Sequence, residues 1–268
     1  DFSDIDLGEF VAEDSSYFVY ESTGDGFVYN NIPQEVPNLM ISGDLWGDRD
    51  RDFQIATDVT VRQDFELLGD VNLLLSSGPA GDITVENDLR IFQSNANGNN
   101  SGGGGQIAFP NDASRTIEVL GDLRLENNGS TINIPGADAP QNVSNLAVHG
   151  NIFQDNGGGG GLQLFTGAGQ DYVQLSLEGE GNHSYSVISG AVASFHSIIM
   201  NKGNGQSSSF TFSDNFTLNG PTSGAGVDKA LTMQNGTLVL DDPAINIDLT
   251  TGDDDFQKQR QRRYWLVC

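Results

Sequence analysis

Aspartates that recur at one place in a repeated pattern are the first residues in this sequence that could do chemistry. Asp44, Asp64, Asp88 and Asp122 each precede an apolar residue, and Asn151 takes the same place in a fifth copy. Bare carboxylates stacked ~4.8 Å apart would repel one another. The pattern therefore indicates either bound cations or turns in which each Asp caps its own turn through backbone N–H groups. The uncharged Asn151 favours the turn interpretation.

A second acidic run resembles the start of a calcium loop. Asp48, Asp50 and Asp52 alternate with Arg49 and Arg51. The sixth and twelfth positions of such a loop hold Gly and Glu, but here they hold Phe53 and Val59. These three aspartates are thus a candidate metal site, and a solvated turn with salt bridges is the favoured interpretation.

Three aromatic residues could form a platform on which sugars stack. Trp46 lies beside a turn and precedes Gly47, and Tyr172 and Tyr185 are the other candidates. Aromatic rings in a repetitive β protein also fill its core, so this carbohydrate-binding interpretation competes with a packing role.

The sequence offers no catalytic constellation. His149, His183 and His196 are the only histidines, and none has a His or Cys partner at metal-ligand spacing. The single Cys268 excludes a disulfide framework and a multi-cysteine metal site. We therefore predict no catalytic residue and no cofactor, with Ca²⁺ as the only ion that the acidic residues could bind.

Internal repeats predict the elements that position these residues. Each copy reads apolar-x-apolar, a short polar break, then apolar again, and each half alternates with the period of a strand. The apolar residues after the break form a series of anchors at Leu45, Phe65, Leu89, Leu123 and Ile152. Their separations of 20, 24, 34 and 29 residues indicate one repeating unit with loops of variable length.

This pattern predicts an all-β fold, a right-handed parallel β-helix (β-solenoid) with irregular Gly-rich loop insertions. Three short strands would form each turn, and eight or nine turns would make a rod about 40 Å long. The Gly-rich tracts at 97–105 and 156–161 would be inserted loops. A β-sandwich is the alternative, although its strands would not share a recurring motif.

The solenoid is expected over 39–256, between an N-terminal capping or lead-in segment at 1–38 and a basic tail at 257–268. The tail departs from the repeats so sharply that a truncation artefact is the favoured interpretation. The chain begins at Asp1 without a targeting pattern, which predicts a processed protein or a piece of a longer one.

Composition excludes several partners. With 12 basic and 37 acidic residues, the formal net charge is −25, which disfavours binding to nucleic acid or to anionic lipid. No apolar run is long enough to span a membrane as a helix.

The segment from Gly181 to Leu240 resembles the repetitive β-strand regions of very large secreted or surface proteins of Bacteroidota. It contains Phe195-His-Ser-Ile-Ile-Met-Asn-Lys-Gly203 and Leu231-Thr-Met-Gln-Asn-Gly-Thr-Leu-Val-Leu240, and the earlier repeats fit the same group. The resemblance covers about 39–250 and carries no catalytic motif. It implies an exported, adhesin-like protein.

Two functions follow as expectations. The first is a non-catalytic structural or adhesive module of an exported bacterial cell-surface protein, a monomeric fragment of a larger chain that binds glycans, other surface proteins or Ca²⁺ in the extracellular space. The second is a polysaccharide lyase or glycoside hydrolase on the same scaffold, which would need two or three carboxylates plus a Lys or Arg in one place.

Overall fold

The protein is all-β in the computed structural model. The structure describes residues 16–22, 27–29, 32–43, 51–69, 71–92, 105–110, 112–126, 131–133, 142–155, 161–164, 172–189, 192–218, 230–241, 247–249, 256–258 and 266–267. These residues contain strands, turns and bends but no helix. Within them there is accordingly no helix long and apolar enough to cross a membrane.

Strands form where apolar and polar residues alternate. Phe65–Leu68 buries its first and third side chains, and Ile83–Val85 does the same. Period-two alternation places the remaining side chains on the opposite, outer surface of the sheet. Each strand therefore has one face that must be covered by the rest of the protein.

Numbered in chain order, every third strand belongs to the same sheet. Sheet A contains β1 Tyr17–Ser22, β4 Asn38–Gly43, β7 Phe65–Leu68, β10 Leu89–Phe92, β13 Leu123–Glu126, β16 Ile152–Asp155, β19 Asn182–Ser189, β22 Ser209–Phe212, β25 Thr237–Leu240 and β28 Leu266–Val267. Sheet B contains β2 Phe27–Tyr29, β5 Arg51–Ile55, β8 Val71–Leu75, β11 Gln106–Ala108, β14 Thr131–Asn133, β17 Leu162–Gln163, β20 Ala193–Phe195, β23 Phe216–Leu218 and β26 Ile247–Leu249. Sheet C contains β3 Glu35–Val36, β6 Val59–Val61, β9 Ile83–Val85, β12 Thr116–Val119, β15 Val143–Val148, β18 Tyr172–Leu177, β21 Ser197–Asn201, β24 Leu231–Asn235 and β27 Phe256–Lys258.

The sheet order confirms the predicted parallel β-helix. Each strand pairs in parallel with the strand three places further along the chain, as in β7 with β10 and β10 with β13. Three consecutive strands thus form one turn, which we call a rung, and the described residues contain nine complete rungs followed by β28. A β-sandwich is excluded because its strands would pair in antiparallel hairpins and Greek keys.

The core is a set of apolar columns that run along the stack. The inner column of sheet A contains, in successive rungs, Leu39, Phe65, Leu89, Leu123, Ile152, Tyr185, Phe212 and Leu240. Aromatic rings from neighbouring columns join it near the C-terminal end, where Phe212 contacts Phe195 and Phe216. Each short strand contributes only its inward side chains to these columns. A modest apolar fraction is therefore enough for this fold.

Strands extend beyond the boundaries that the sequence predicts for the solenoid. The segment 1–38 contains β1, β2 and β3, which pair with β4, β5 and β6 and so form the first rung. At the other end, β27 and β28 lie in or beside the basic tail and pair with β24 and β25. Most of the two Gly-rich tracts lies outside the described residues.

Candidate functional site

The recurring polar residues meet at the corner that leads from sheet C into sheet A. There the side-chain oxygen of one rung accepts a hydrogen bond from the backbone N–H of the next rung. We call these five hydrogen bonds the corner ladder. Given as acceptor side chain, donor residue and N···O distance, they are Asn38 from Asp64 (3.1 Å), Asp64 from Asp88 (3.3 Å), Asp88 from Asp122 (2.8 Å), Asp122 from Asn151 (2.7 Å) and Asn151 from Ser184 (3.1 Å). The ladder therefore ties each rung to its neighbour.

The register of sheet A corrects one member of the predicted series. Phe65 pairs with Leu39 and not with Leu45, so Asn38 takes the ladder position that we assigned to Asp44. The preceding corner contains only Pro37 and Asn38 between Val36 and Leu39, one residue fewer than the corner before Phe65. Because this corner is shorter, the true copy of the repeat does not match the pattern of the other copies. The residues around Asp44 do match that pattern, although they are not the ladder corner. Asp44 itself lies outside the described residues.

A second correction concerns what the ladder carboxylates bind. The sequence predicted that each Asp caps its own turn, but each one caps the turn of the following rung. Charge repulsion between Asp88 and Asp122 is offset by Arg124, whose guanidinium lies 2.9 Å from Asp122 Oδ2 and 3.7 Å from Asp88 Oδ2. Burial, the largest effect, still raises the pKa of Asp88 above its usual value, and nearby Asp122 raises it further.

We expect Asp122→Ala to lower the free energy of unfolding by about 1–2 kcal/mol, because the N–H of Asn151 loses its acceptor. Asp122→Asn is the matched control, and it should cost much less since an amide oxygen already serves at Asn38 and Asn151. Urea denaturation of the two variants measures the difference. Equal losses for both would show that the charge of Asp122 matters and the hydrogen bond does not.

A second ladder at the corner between sheets B and C was missed. Asp58 Oδ1 accepts hydrogen bonds from the N–H groups of Gly81 (2.8 Å) and Asp82 (3.0 Å), and Asp82 Oδ1 accepts one from Thr116 (2.9 Å). The two backbone donors lower the pKa of Asp58. The signal was present in the sequence, because Asp-Val-Thr-Val at 58–61 recurs as Asp-Ile-Thr-Val at 82–85.

The outer surface of sheet A carries a second group of candidate site residues, which the sequence did not lead us to expect. Glu66, Arg90, Arg124 and Phe153 occupy the same outward column in four successive rungs. Phe92 and Glu126 lie two residues further along the strands of Arg90 and Arg124. We call these six residues the sheet A patch.

Contacts within the sheet A patch hold its side chains in place. Arg90 lies 3.5 Å from Glu66 and 2.8 Å from Glu126, and its guanidinium lies 4.7 Å from the centre of the Phe92 ring. Arg124 lies over Phe153 at the same distance of 4.7 Å while it also binds the ladder carboxylates. The two adjacent guanidiniums are thus each balanced by acidic partners.

Electrostatics distinguish the two glutamates of the patch. Burial raises the pKa of Glu66, whose side chain is only 13% exposed, although Arg90 opposes this shift. Glu126 is more exposed at 30%, and its hydrogen bond is the main reason that the pKa of Arg90 is raised. The patch therefore combines a half-exposed ion-pair network with two aromatic rings.

A buried lysine was also missed by sequence reasoning. Lys202 is 0% exposed, and its Nζ donates hydrogen bonds to the backbone oxygens of His149 (2.8 Å) and Glu178. Burial lowers the pKa of Lys202 to about 8. The ring of His149 lies 3.2 Å from Glu118. Lys202 therefore links backbone atoms of two earlier corners from a buried position, whereas the side chains of His149 and Glu118 remain partly exposed.

The remaining predicted site residues are placed as follows. Trp46, Asp48 and Asp50 lie outside the described residues, and Tyr172 lies on β18 with no description of its side chain. Asp52 accepts a hydrogen bond from Asn72 of the next rung at 3.1 Å. Among the described residues, no three His, Cys, Asp or Glu side chains are grouped so that they could hold a metal ion.

Tyr185 requires a correction. We predicted an exposed ring that could stack on a sugar, but Tyr185 is 0% exposed and lies in the inner column of sheet A. Its ring contacts Phe195 and Phe212, and its hydroxyl donates to Gln154 at 3.3 Å. Tyr185 lies on the inner side of the sheet because it stacks on Ile152 of the preceding rung.

Comparisons of the chain with protein-family models, with curated proteins and with solved structures gave no match. The resemblance to surface proteins of Bacteroidota therefore stays a prediction from the residues.

Proposed function

We propose that this chain is a non-catalytic adhesive module of an exported bacterial cell-surface protein, and that its sheet A patch binds glycans. The observation that carries the proposal is the column Glu66, Arg90, Arg124 and Phe153 on the outer surface of four successive rungs. The extracellular location and the bacterial surface protein follow from the resemblance of the repeats.

The arrangement of the patch supports binding because its polar groups are already ordered. Ion pairs and ring contacts fix Arg90 and Arg124 before any ligand arrives. Preorganised side chains lose less conformational entropy on binding than free ones. Arg and aromatic residues are also the types that contribute most at binding surfaces. A rigid β-helix keeps them at a constant spacing along the stack.

The corner ladder supports a structural role for the other carboxylates. Asp64, Asp88 and Asp122 use Oδ1 to bind the next rung. These carboxylates therefore hold neighbouring rungs of the solenoid together. Such a role is expected in a structural module whose outer surface binds a ligand.

One observation favours an enzymatic alternative, a polysaccharide lyase or glycoside hydrolase. Glu66 and Glu126 both bind Arg90, and burial raises the pKa of Glu66. Glycoside hydrolases use two carboxyl groups, one of them with a raised pKa. The requirement for two carboxylates and an Arg in one place is met by this group.

The test is a polysaccharide-array screen with and without Ca²⁺, followed by product analysis of each polysaccharide bound. We expect binding without cleavage, and we expect Phe153→Ala to weaken binding by about tenfold, because an aromatic contact with the ligand is lost. Ile199→Ala, on the outer surface of sheet C, is the control that should bind normally.

Cleavage that is lost in Glu66→Gln would favour the enzymatic alternative. Binding that is equally strong in Phe153→Ala and in the unmodified protein would show that the sheet A patch is not the site.

A further inference from the structure

Charge in and around the sheet A patch limits the class of glycan that it can bind. The two cations of the patch, Arg90 and Arg124, are contacted by four carboxylates, namely Glu66, Glu126, Asp88 and Asp122. These four carboxylates outnumber the two guanidiniums, so a carboxylated or sulfated polysaccharide would meet more negative than positive charge here and would be repelled. The net charge of −25 adds a general repulsion of polyanions.

The same groups still have capacity to bind hydroxyls. A guanidinium has five N–H donors and a carboxylate about four acceptor positions, so one ion pair does not use the whole capacity of either group. Sugar hydroxyls are both donors and acceptors, and they can bind Arg90 and Glu126 together without breaking the bond between them. The half-exposed Arg and Glu side chains keep these positions accessible to solvent.

Aromatic rings supply the apolar part of the surface. Phe92 and Phe153 are partly exposed, and each is held on one side by a guanidinium. The C–H face of a pyranose packs on such a ring, and this contact is open to a sugar whether or not it carries a charge. The rings therefore add affinity, while the ion pairs select against a charged ligand.

From this geometry we infer that the ligand of the sheet A patch is a neutral polysaccharide that lies along the stack, across the strands. The inference rests on the proposed function, and it adds the substrate class. From Glu66 to Phe153 the column spans three rung spacings, roughly 14 Å, so an oligosaccharide of several sugars would contact the whole column. Neighbouring sugars would lie over neighbouring rungs.

The experiment compares neutral glycans (cello-, manno- and gluco-oligosaccharides with their polymers) with polyuronates and sulfated glycans, by calorimetry at low and high salt. We expect at least one neutral glycan to bind with an affinity that salt leaves almost unchanged. Phe153→Ala should lower this affinity by about tenfold, Ile199→Ala should not, and the acidic glycans should not bind.

Binding of a polyuronate or sulfated glycan that weakens with salt and is lost in Arg124→Gln would overturn the inference but leave the adhesive function in place. Binding of no glycan of either class would overturn both. Circular dichroism of each variant keeps these outcomes separate from a failure to fold.

Discussion

Gly150→Ala is expected to lower the free energy of unfolding by about 3 kcal/mol, which is large for the addition of one methyl group. A Cβ at this position would lie 2.4 Å from the backbone oxygen of Gly121 and 2.6 Å from Asp122 Oδ1. Both atoms belong to the corner of the preceding rung, where the N–H of Gly150 also donates to the Gly121 oxygen at 2.9 Å. Movement of the Gly121 oxygen would break its hydrogen bond with the Gly150 N–H, and movement of Asp122 Oδ1 would break the corner ladder.

Gly78→Ala is the matched control for this prediction. Its Cβ would meet only the hydroxyl of Ser76, at 3.1 Å, and that side chain can give way at the cost of at most one hydrogen bond from the Gly78 N–H. Urea denaturation of both variants measures the two losses. A loss for Gly150→Ala as small as that for Gly78→Ala would mean that the rungs are not stacked as closely as described.

The second large effect is expected for Phe212→Ala, at about 3–5 kcal/mol of unfolding free energy. Phe212 is 0% exposed. Its ring centre lies 4.5 Å from that of Phe216, 5.3 Å from Phe210 and 5.7 Å from Tyr185. Removing the ring leaves a cavity in the middle of this cluster, and the rings around it are attached to different sheets, so they can close it only in part.

Phe92→Ala is the control, because the same change is made on the outer surface of sheet A. It removes a ring that Arg90 covers from one side, so we expect a loss of about 1 kcal/mol or less. Thermal and chemical denaturation should rank the two variants in this order. The inner and outer columns would be wrongly assigned if Phe92→Ala were the more destabilising change.

Most of the fold could be predicted from the sequence because the repeated apolar pattern predicts both the strands and the way in which they stack. Phe65, Leu89, Leu123 and Ile152 were recognised as anchors, and they do stack in one inner column. The prediction was wrong at Leu45, because the residue that stacks on Phe65 is Leu39. The corner before Leu39 is one residue shorter than the corner before Phe65, so Leu39 did not fit the pattern of the other anchors. Local similarity cannot reveal such a shift, because only the pairing with the next rung decides the register.

The sheet A patch could have been found by one further step. Its column consists of the residues that directly follow the four anchors, so aligning the anchors also aligns Glu66, Arg90, Arg124 and Phe153. Lys202 is different. Its partners, the backbone oxygens of His149 and Glu178, lie 53 and 24 residues earlier. No pattern in the sequence relates a side chain to backbone atoms at such distances.

Hydroxyl-radical footprinting with a bound glycan tests most directly whether the outer surface of sheet A is the ligand-binding surface. The rate of oxidation at each side chain is measured by mass spectrometry with and without the neutral oligosaccharide that binds best. We expect protection of Phe92 and Phe153, and no change at Ile199, which lies on the outer surface of sheet C. Unchanged oxidation of Phe92 and Phe153, with protection elsewhere, would contradict the account.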